Sequence, residues 1–284
     1  MMQEYSITYK TENHYENNAD DAHWQFLIIP EENESQEFVE IKFSNSLNVL
    51  NQFSINGYGF KTIRVNPKQK FNFISFEGNF KVIKKEINPF VSDFSQSITS
   101  DYQLIKSHSF KIDYDLYLRE TSLTTLPREN NKDYIFDENI PIFDNLQNLN
   151  KWVFDILTFK TNVTDVDTVL DEIITSKTGV CQDYTHLFCA LSRINGIATR
   201  YVSGYINQGN GYFGDSQMHA WAEAYVPNFG WLGFDPTNNL LALTSHIKVC
   251  DGKDYNDCSP LKGIVYALGE NKTSYTVQVS SQQQ

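Results

Sequence analysis

Residues 179–196, GVCQDYTHLFCALSRING, are the stretch of this chain that decides its fold. Apolar residues recur through it at the three- and four-residue spacing of a buried helix face: Tyr184, Leu187, Phe188, Leu191 and Ile194. Gly179 ends the segment before the helix, and Asn195 with Gly196 supplies a stop signal. The sequence therefore predicts one helix with Cys181 in its first turn.

A cysteine in the first turn of a helix has two interpretations. The unpaired N–H groups and the positive end of the helix dipole favour a thiolate at Cys181, which is the nucleophile of cysteine chemistry. The alternative is a small, inert side chain buried among apolar neighbours. The position of Cys181 does not decide between these two interpretations, which depend on residues later in the chain.

The composition limits the classes of protein to consider. The chain has 284 residues, of which 40% are hydrophobic and 20% charged, as expected for a globular protein with a sizeable core. A net charge of −12 argues against nucleic acid and anionic membranes as partners. The first residues, MMQEYSITYK, lack the basic and apolar regions of a secretory signal. A cytoplasmic location is therefore predicted, and the oligomeric state is left open.

The four cysteines do not form a metal-binding pattern. They occupy positions 181, 189, 250 and 258, and none forms a C-x-x-C pair, which argues against a zinc site. Cys250 and Cys258 are close enough in sequence to bridge, but a chain without a secretory signal is expected to keep its thiols reduced. No metal and no cofactor are predicted.

The first 90 residues alternate with the two-residue period of β-strands. The aromatic runs at 5–9, 24–29 and 71–76 are separated by turns rich in Asn, Glu and Gly. The predicted architecture is α+β, with an N-terminal antiparallel β domain at residues 1–95. Residues 96–284 form the second predicted domain, a core with its linker and C-terminal strands, in which a helix packs on an antiparallel sheet.

The hydrophobic period changes from that of strands to that of helices before the central helix, and back to that of strands after it. Helices are predicted at 144–158, capped by Asp144, and at 165–178, directly before Cys181. Strands follow at 197–206, 218–226 and 231–235. The loop between the first two of these strands contains Gly209, Gly211 and Gly214, and is interpreted as a mobile flap.

Two residues on the predicted strands complete a possible constellation with Cys181. His219 opens a strictly alternating strand, and Asp235 ends the next one. If Tyr225 pairs with Trp231, Asp235 lies one diagonal step from His219 on the same sheet face. A carboxylate there would orient the imidazole and stabilise its cation. Taken singly, such a His is usually structural and an Asp before Pro is usually a turn residue.

Four segments of the chain resemble the core motifs of the bacterial transglutaminase-like superfamily. They are GVCQDYTHL at 179–187, RYVSGY at 200–205, MHAWAEAY at 218–225 and GWLGFDPTNN at 230–239. The β-rich start and the tail HIKVCDGKDYNDCSPLKG are similar to the regions that flank this core. The resemblance implies a papain-like core in which Cys181, His219 and Asp235 are the catalytic triad.

The chain departs from this family at two points. Gln182 replaces the usual basic residue after the cysteine, a change expected to be harmless. The tryptophan of the oxyanion hole in animal crosslinking transglutaminases has no counterpart just before the 165–178 helix, and Trp152 lies on an earlier helix. This difference weakens the case for crosslinking more than the case for acyl chemistry.

Three functions remain open at this point. The leading hypothesis is a cysteine amide hydrolase, a peptidase acting on peptide or protein amides through a thioester. The alternatives are a protein-glutamine transglutaminase and a catalytically silent binding module. Outside the triad, His186 is interpreted as a core or supporting residue, Cys189 as core, and Asp183 as a favourable charge at the helix start.

Overall fold

The computed structural model describes residues 2–91, 98–127, 133–207 and 217–283, and the fold is α+β, as predicted. The strands are β1 Met2–Ala19, β2 Asp21–Phe26, β3 Gln36–Asn45, β4 Asn51–Ile55, β5 Lys61–Val65, β6 Phe71–Lys85, β7 Thr158–Phe159, β8 Thr178–Gly179, β9 Thr199–Ile206, β10 His219–Val226, β11 Gly230–Asp235, β12 Leu240–Leu241, β13 His246–Gly252, β14 Leu261–Tyr266 and β15 Asn271–Gln283. The helices are α1 Ile98–Lys106, α2 His108–Asp113, α3 Asp115–Leu118, α4 Ile142–Ile156, α5 Leu170–Ser176, α6 Cys181–Ile194 and α7 Tyr255–Cys258.

Both ends of the chain build the β region, which we define as β1–β6 with β14 and β15. One sheet has the order β15-β1-β6-β3 and the other has the order β14-β2-β5-β4. In the first, β15 pairs with β1 from Gln3 opposite Gln283 to Tyr15 opposite Asn271. The sequence-based division placed these final strands with the core, whereas here they complete the two N-terminal sheets.

The interior of the β region is aromatic. Trp24, Phe26 and Phe43 contact Phe76, with ring centroids 4.7–6.1 Å apart. Aromatic pairs at such distances stabilise an interior beyond the burial of their area. The alternation seen in the sequence thus places one face of each sheet against the other.

A five-stranded antiparallel sheet forms the core, in the order β12-β11-β10-β9-β13. Helix α6 packs on β10, where Ala222 and Ala224 are fully buried and allow a close approach. The predicted hairpin register is confirmed, because Tyr225 lies opposite Trp231. Helix α6 begins at Cys181, so the predicted position of this cysteine in the first turn is also confirmed.

Helices α4 and α5 begin at different residues from those predicted from the sequence. Helix α4 begins at Ile142 after Pro141, so Asp144 lies in the first turn and is not the cap. Helix α5 begins only at Leu170, because Asp165 accepts hydrogen bonds from Thr168 in a separate turn. Helices α1–α3 were not predicted, since their short lengths give too few periods to detect.

The β region and the core are joined by specific hydrogen bonds. The side chain of Gln36 donates to the carbonyl of Lys248 at 2.8 Å and accepts from its N–H at 3.0 Å. The hydroxyl of Tyr205 donates to the carbonyl of Ile28 at 2.6 Å, and its ring stacks on Phe80. Strand β13, an edge of the core sheet, is thereby held against the β region.

Two sequence-based expectations concern features outside these elements. Within the described part of the chain, no helix combines the length and the apolar character needed to cross a membrane. The glycine loop interpreted as a mobile flap lies outside the described residues.

Candidate active site

The turn before Cys181 is fixed by a buried carboxylate. Asp183 accepts hydrogen bonds from the backbone N–H of Val180 and the hydroxyl of Thr164, both at 2.7 Å. A Cβ added at Gly179 would lie 2.7 Å from the Asp183 side chain, so glycine is needed there. Asp183 was expected only to complement the helix dipole, but it is fully buried and shapes the entry to α6. Cys181 itself is partly exposed, as a nucleophile must be.

His219 and Asp235 form a buried pair on the neighbouring strands. The Nε2–H of His219 donates to Oδ2 of Asp235 at 2.8 Å, and both side chains are completely buried. The other ring nitrogen, Nδ1, has no hydrogen-bond partner of acceptable geometry among the described residues. Cys181 is nonetheless close enough to act on the ring electrostatically. Catalytic hydrogen bonds are often loose in free enzymes.

Several donors besides His219 converge on Asp235. Its Oδ1 accepts from the backbone N–H groups of Thr237 and Asn238 at 3.0 and 3.3 Å. Its Oδ2 accepts from the side-chain amide of Asn238 at 2.8 Å and from Nε2 of His246 at 3.0 Å. A carboxylate held by this many donors has a fixed orientation and stays ionised.

The electrostatics follow from this geometry. Burial opposes a charge on His219, but the charge of Asp235, their hydrogen bond and Cys181 together raise the pKa of His219 to about 10. Burial likewise opposes the charge on Asp235, yet the charge and hydrogen bond of His219 and the hydrogen bond from His246 hold its pKa well below the usual range. Burial lowers the pKa of His246, which therefore remains neutral. His219 is thus the member of this cluster that carries the positive charge near neutral pH.

Trp221 of the core packs against the two histidines of the site, and Tyr275 of the β region lies within electrostatic range of Cys181. The ring of Trp221 stacks with His219 at 6.3 Å and meets His246 edge-on at 5.2 Å. Burial and then the charge of Cys181 raise the pKa of Tyr275, which lies on β15. The β region therefore contributes to the surroundings of the cysteine.

The remaining candidates have structural environments. His186 is fully buried and accepts a hydrogen bond from the N–H of Tyr255 at 3.2 Å, so it connects α6 to α7. Cys189 is fully buried, as predicted. Cys250 and Cys258 are free thiols in the interior.

Sequence reasoning missed His246 and Asn238. Asn238 lies three residues after Asp235, the spacing of a local turn, so that signal was available. His246 gave no such signal, because it reaches Asp235 only through the pairing of β13 with β9.

His219, Asp235 and His246 together offer ligand atoms that a metal ion could use. Their donor atoms lie within 4.8 Å of one another. Two imidazoles and a carboxylate suit several transition metals. Here each Nε2 instead bonds to Asp235, so these two nitrogens are paired without an ion. The absence of a metal stays a prediction from the sequence.

Comparison with known proteins identifies the class of this fold. Residues 133–236 match the family model of the transglutaminase-like superfamily. The matched residues therefore form a transglutaminase-like core within the chain. The matched segment includes Cys181, His219 and Asp235, the residues that the sequence motifs single out.

Individual relatives cover different parts of the chain. An uncharacterized protein of Mycobacterium tuberculosis is 36% identical over 140 residues, which are 46% of this chain and 45% of that protein. The match thus spans slightly less than half of the mycobacterial relative. A protein-glutamine gamma-glutamyltransferase of Pseudomonas aeruginosa is 35% identical over 86 residues, or 28% of this chain and 13% of that protein.

A solved structure resembles the chain over its whole length. The crystal structure of a candidate cysteine protease from Cytophaga hutchinsonii has a TM-score of 0.78 and covers 100% of this chain and 92% of that one. At 18% identity, this likeness shows that the two share a fold.

Proposed function

We propose that this protein is a cysteine-dependent amide hydrolase, a peptidase that uses Cys181, His219 and Asp235. The observation that carries the proposal is the buried pair of His219 and Asp235, 2.8 Å apart, beside a helix that begins with the partly exposed Cys181. The proposed substrate is a peptide or protein amide. The proposed cytoplasmic location rests on the sequence alone.

The proposed mechanism uses the charge distribution of the site. Because the pKa of His219 is raised, its resting form is the imidazolium, and the proposed nucleophile is the thiolate of Cys181. The thiolate attacks the amide carbonyl, and the backbone N–H of Cys181 at the helix start helps to bind the oxyanion. His219 gives its proton to the leaving amine. The neutral imidazole then removes a proton from water, which hydrolyses the thioester and restores the starting state.

Acyl transfer to an amine is the second candidate function. It uses the same thioester, but a primary amine replaces water as the second nucleophile. The observation in its favour is the similarity of 86 residues to the Pseudomonas protein-glutamine gamma-glutamyltransferase. The third alternative, a catalytically silent module, is disfavoured because the family-matched segment retains all three residues of the proposed triad.

One incubation separates these three functions. The protein is mixed with a glutamine-containing peptide, with and without a primary amine, and the products are identified by mass spectrometry. Hydrolysis of an amide bond in both mixtures supports the peptidase or amidase proposal. Incorporation of the amine supports transfer, and unchanged peptides across a diverse amide library support the silent module.

Two variants test whether Cys181 is responsible for any turnover. Cys181→Ala is expected to abolish it, because no other nucleophile is predicted at the site. Cys189→Ala changes an equally small but fully buried thiol on the same helix and is the matched control. Turnover that persists in Cys181→Ala would contradict the proposal.

A further inference from the structure

A small cavity lies between the β region and the core sheet. Its volume is about 90 Å³. Lys84 of β6 and Ser35 contribute from the β region, and Trp221, His246 and Lys248 contribute from the core. We call it the Lys84 cavity.

Lys84 is a buried cation with few hydrogen-bond acceptors near its ammonium group. Only 6% of the residue is exposed. Among the described residues, its ammonium group has a single hydrogen-bond acceptor, the hydroxyl of Ser35 at 3.5 Å. That hydroxyl donates its own hydrogen to Asn33 at 3.0 Å. An ammonium group has three N–H donors, so two of those on Lys84 are left without a protein acceptor in the described parts of the chain.

The contrast with the neighbouring Lys248 shows that this is unusual. Lys248 is buried to the same degree, with 5% exposed. Its ammonium group lies 2.7 Å from Asp251, 2.9 Å from Glu223 and 3.5 Å from Glu31. Buried charges in proteins are normally paired in this way, because an unpaired charge is costly to remove from water.

Three lysines and one carboxylate line the cavity, and of the two buried lysines only Lys248 is paired with carboxylates of the described residues. Lys84, Lys85 and Lys248 line it, against the single carboxylate of Glu223. That carboxylate already accepts from Lys248 and from Arg200. Burial outweighs the attraction of Glu223 and lowers the pKa of Lys84 to about 8.

The size of the cavity limits what it can hold. A water molecule takes up about 30 Å³ in the liquid, so the space suits a few waters or one small anion. Apolar side chains, including those of Trp221, Trp231 and Leu243, line the cavity together with the polar groups. A cation beside apolar surface suits a short carboxylic acid.

We propose that the Lys84 cavity is a binding site for a small carboxylate of the size of formate or acetate. The carboxylate accepts hydrogen bonds from the ammonium group of Lys84. His246, which lines the cavity, also donates to Asp235, so the occupant lies directly behind the His219–Asp235 pair. This site is independent of the proposed peptidase activity, and its test needs no substrate.

The test is a melting-temperature titration of the full chain at constant ionic strength. Sodium gluconate, whose anion is too large for the cavity, is replaced stepwise by sodium formate or acetate. The wild type is expected to show a saturable increase of about 2–4 °C. Lys84→Met removes the charge and is expected to lose this increase. Lys81→Met is the matched control, because Lys81 is exposed on the same strand and should leave the response intact.

A size series on the wild type keeps the test decisive if Lys84→Met does not fold. Pivalate carries the same charge as acetate but is too bulky for a cavity of about 90 Å³. It should give no saturable shift. Equal shifts with pivalate, a response linear in concentration, or an undiminished response in a folded Lys84→Met would each overturn the proposal.

Discussion

The core and the β region bury different kinds of side chain. The core sheet encloses ionisable groups: the buried cluster around Asp235, and a second network in which Arg200 lies 2.5 Å from Glu223 and 3.3 Å from Asp251. The β region encloses stacked aromatic rings such as Trp24 and Phe76. The stability of the core interior depends on the geometry of specific polar partners. The stability of the β region depends on the apolar area that it buries and on how well its side chains fill the volume.

This difference indicates where a single substitution will reduce stability most. Removing one member of a buried polar cluster leaves its partners with uncompensated charge or hydrogen bonds, which costs more than the interaction itself contributed. An apolar interior loses only the contacts of the atoms removed, together with any cavity left behind. The expected effects below run from the largest to the smallest on this basis.

The largest effect is expected from Asp235→Ala. It leaves His219 and His246 without their common acceptor, and should lower the free energy of unfolding by about 3–5 kcal/mol. It should also lower kcat/KM at least about 100-fold on any amide substrate identified, since the imidazole is no longer oriented or its cation stabilised. Chemical denaturation and steady-state kinetics measure the two effects.

Asp235→Asn is the matched control for this change. Asparagine keeps the size of the side chain and an acceptor oxygen for the ring N–H, and Cys-His-Asn arrangements are catalytically competent. It should therefore retain measurable activity and do less damage than Asp235→Ala. If Asp235→Ala is folded and as active as the wild type, Asp235 is a turn residue and another group orients His219.

The next largest effect tests whether the end of the chain closes the β region. Val277 on β15 is 4% exposed and lies opposite Tyr9. Val277→Asp would bury an unpaired charge and should lower the free energy of unfolding by about 2–4 kcal/mol. Gln278→Asp, on the exposed face of the same strand, should change it by no more than about 0.5 kcal/mol. Equal effects of the two substitutions would show that β15 does not pack as described.

The same contrast explains what could be predicted from the sequence. The core was predictable because its signals are local: a helical period before Gly196, a two-residue alternation from His219, and a hairpin that fixes the register of Asp235. The closure of the β region by β14 and β15 could not be predicted from the sequence, because pairing between opposite ends of a chain leaves no local pattern. For that reason the sequence-based division kept these strands with the core.

Long-range pairing also hid the supporting residues. Lys84 is distant in sequence from Asp235, and His246, although nearer, lies on a strand that joins the sheet by pairing with β9. Each is an unremarkable strand residue by itself. The pairing of β13 within the core sheet and the packing of β6 against that sheet bring them near the site. Asn238 differs, because it lies in the turn directly after Asp235 and acts locally.

A smaller effect concerns the reactivity of the thiols in the core. Cys181 is the only partly exposed one of the four cysteines, and it begins helix α6 beside the cationic His219. Iodoacetamide should label Cys181 first near neutral pH, and His219→Ala should slow this labelling about tenfold. Mass spectrometry of timed samples measures the rates. Faster labelling of Cys250 or Cys258 in the folded protein would contradict an activated Cys181.

The smallest effect concerns stability in acid. It tests whether the buried His186 stays neutral in the folded protein, unlike His219 of the proposed triad. Burial, and then the charge of Arg193, lower the pKa of His186 to about 3, and its Nε2 accepts from the N–H of Tyr255. The unfolded chain binds this proton near pH 6.5, whereas the folded chain does not. The unfolded state therefore binds more protons between about pH 6.5 and 3, and stability falls as the pH is lowered through this window.

His186→Gln removes that titration while keeping an acceptor for the Tyr255 N–H. Between pH 6.5 and 5.5, the wild type should lose about 1 kcal/mol more unfolding free energy than the variant. Other titrating groups act in both proteins and cancel in this difference. His108→Gln, at an exposed position on α2, is the control and should follow the wild type. Parallel pH profiles for the wild type and His186→Gln would mean that His186 takes up its proton in the folded state, and that the core tolerates a charge where the structure shows only a neutral acceptor.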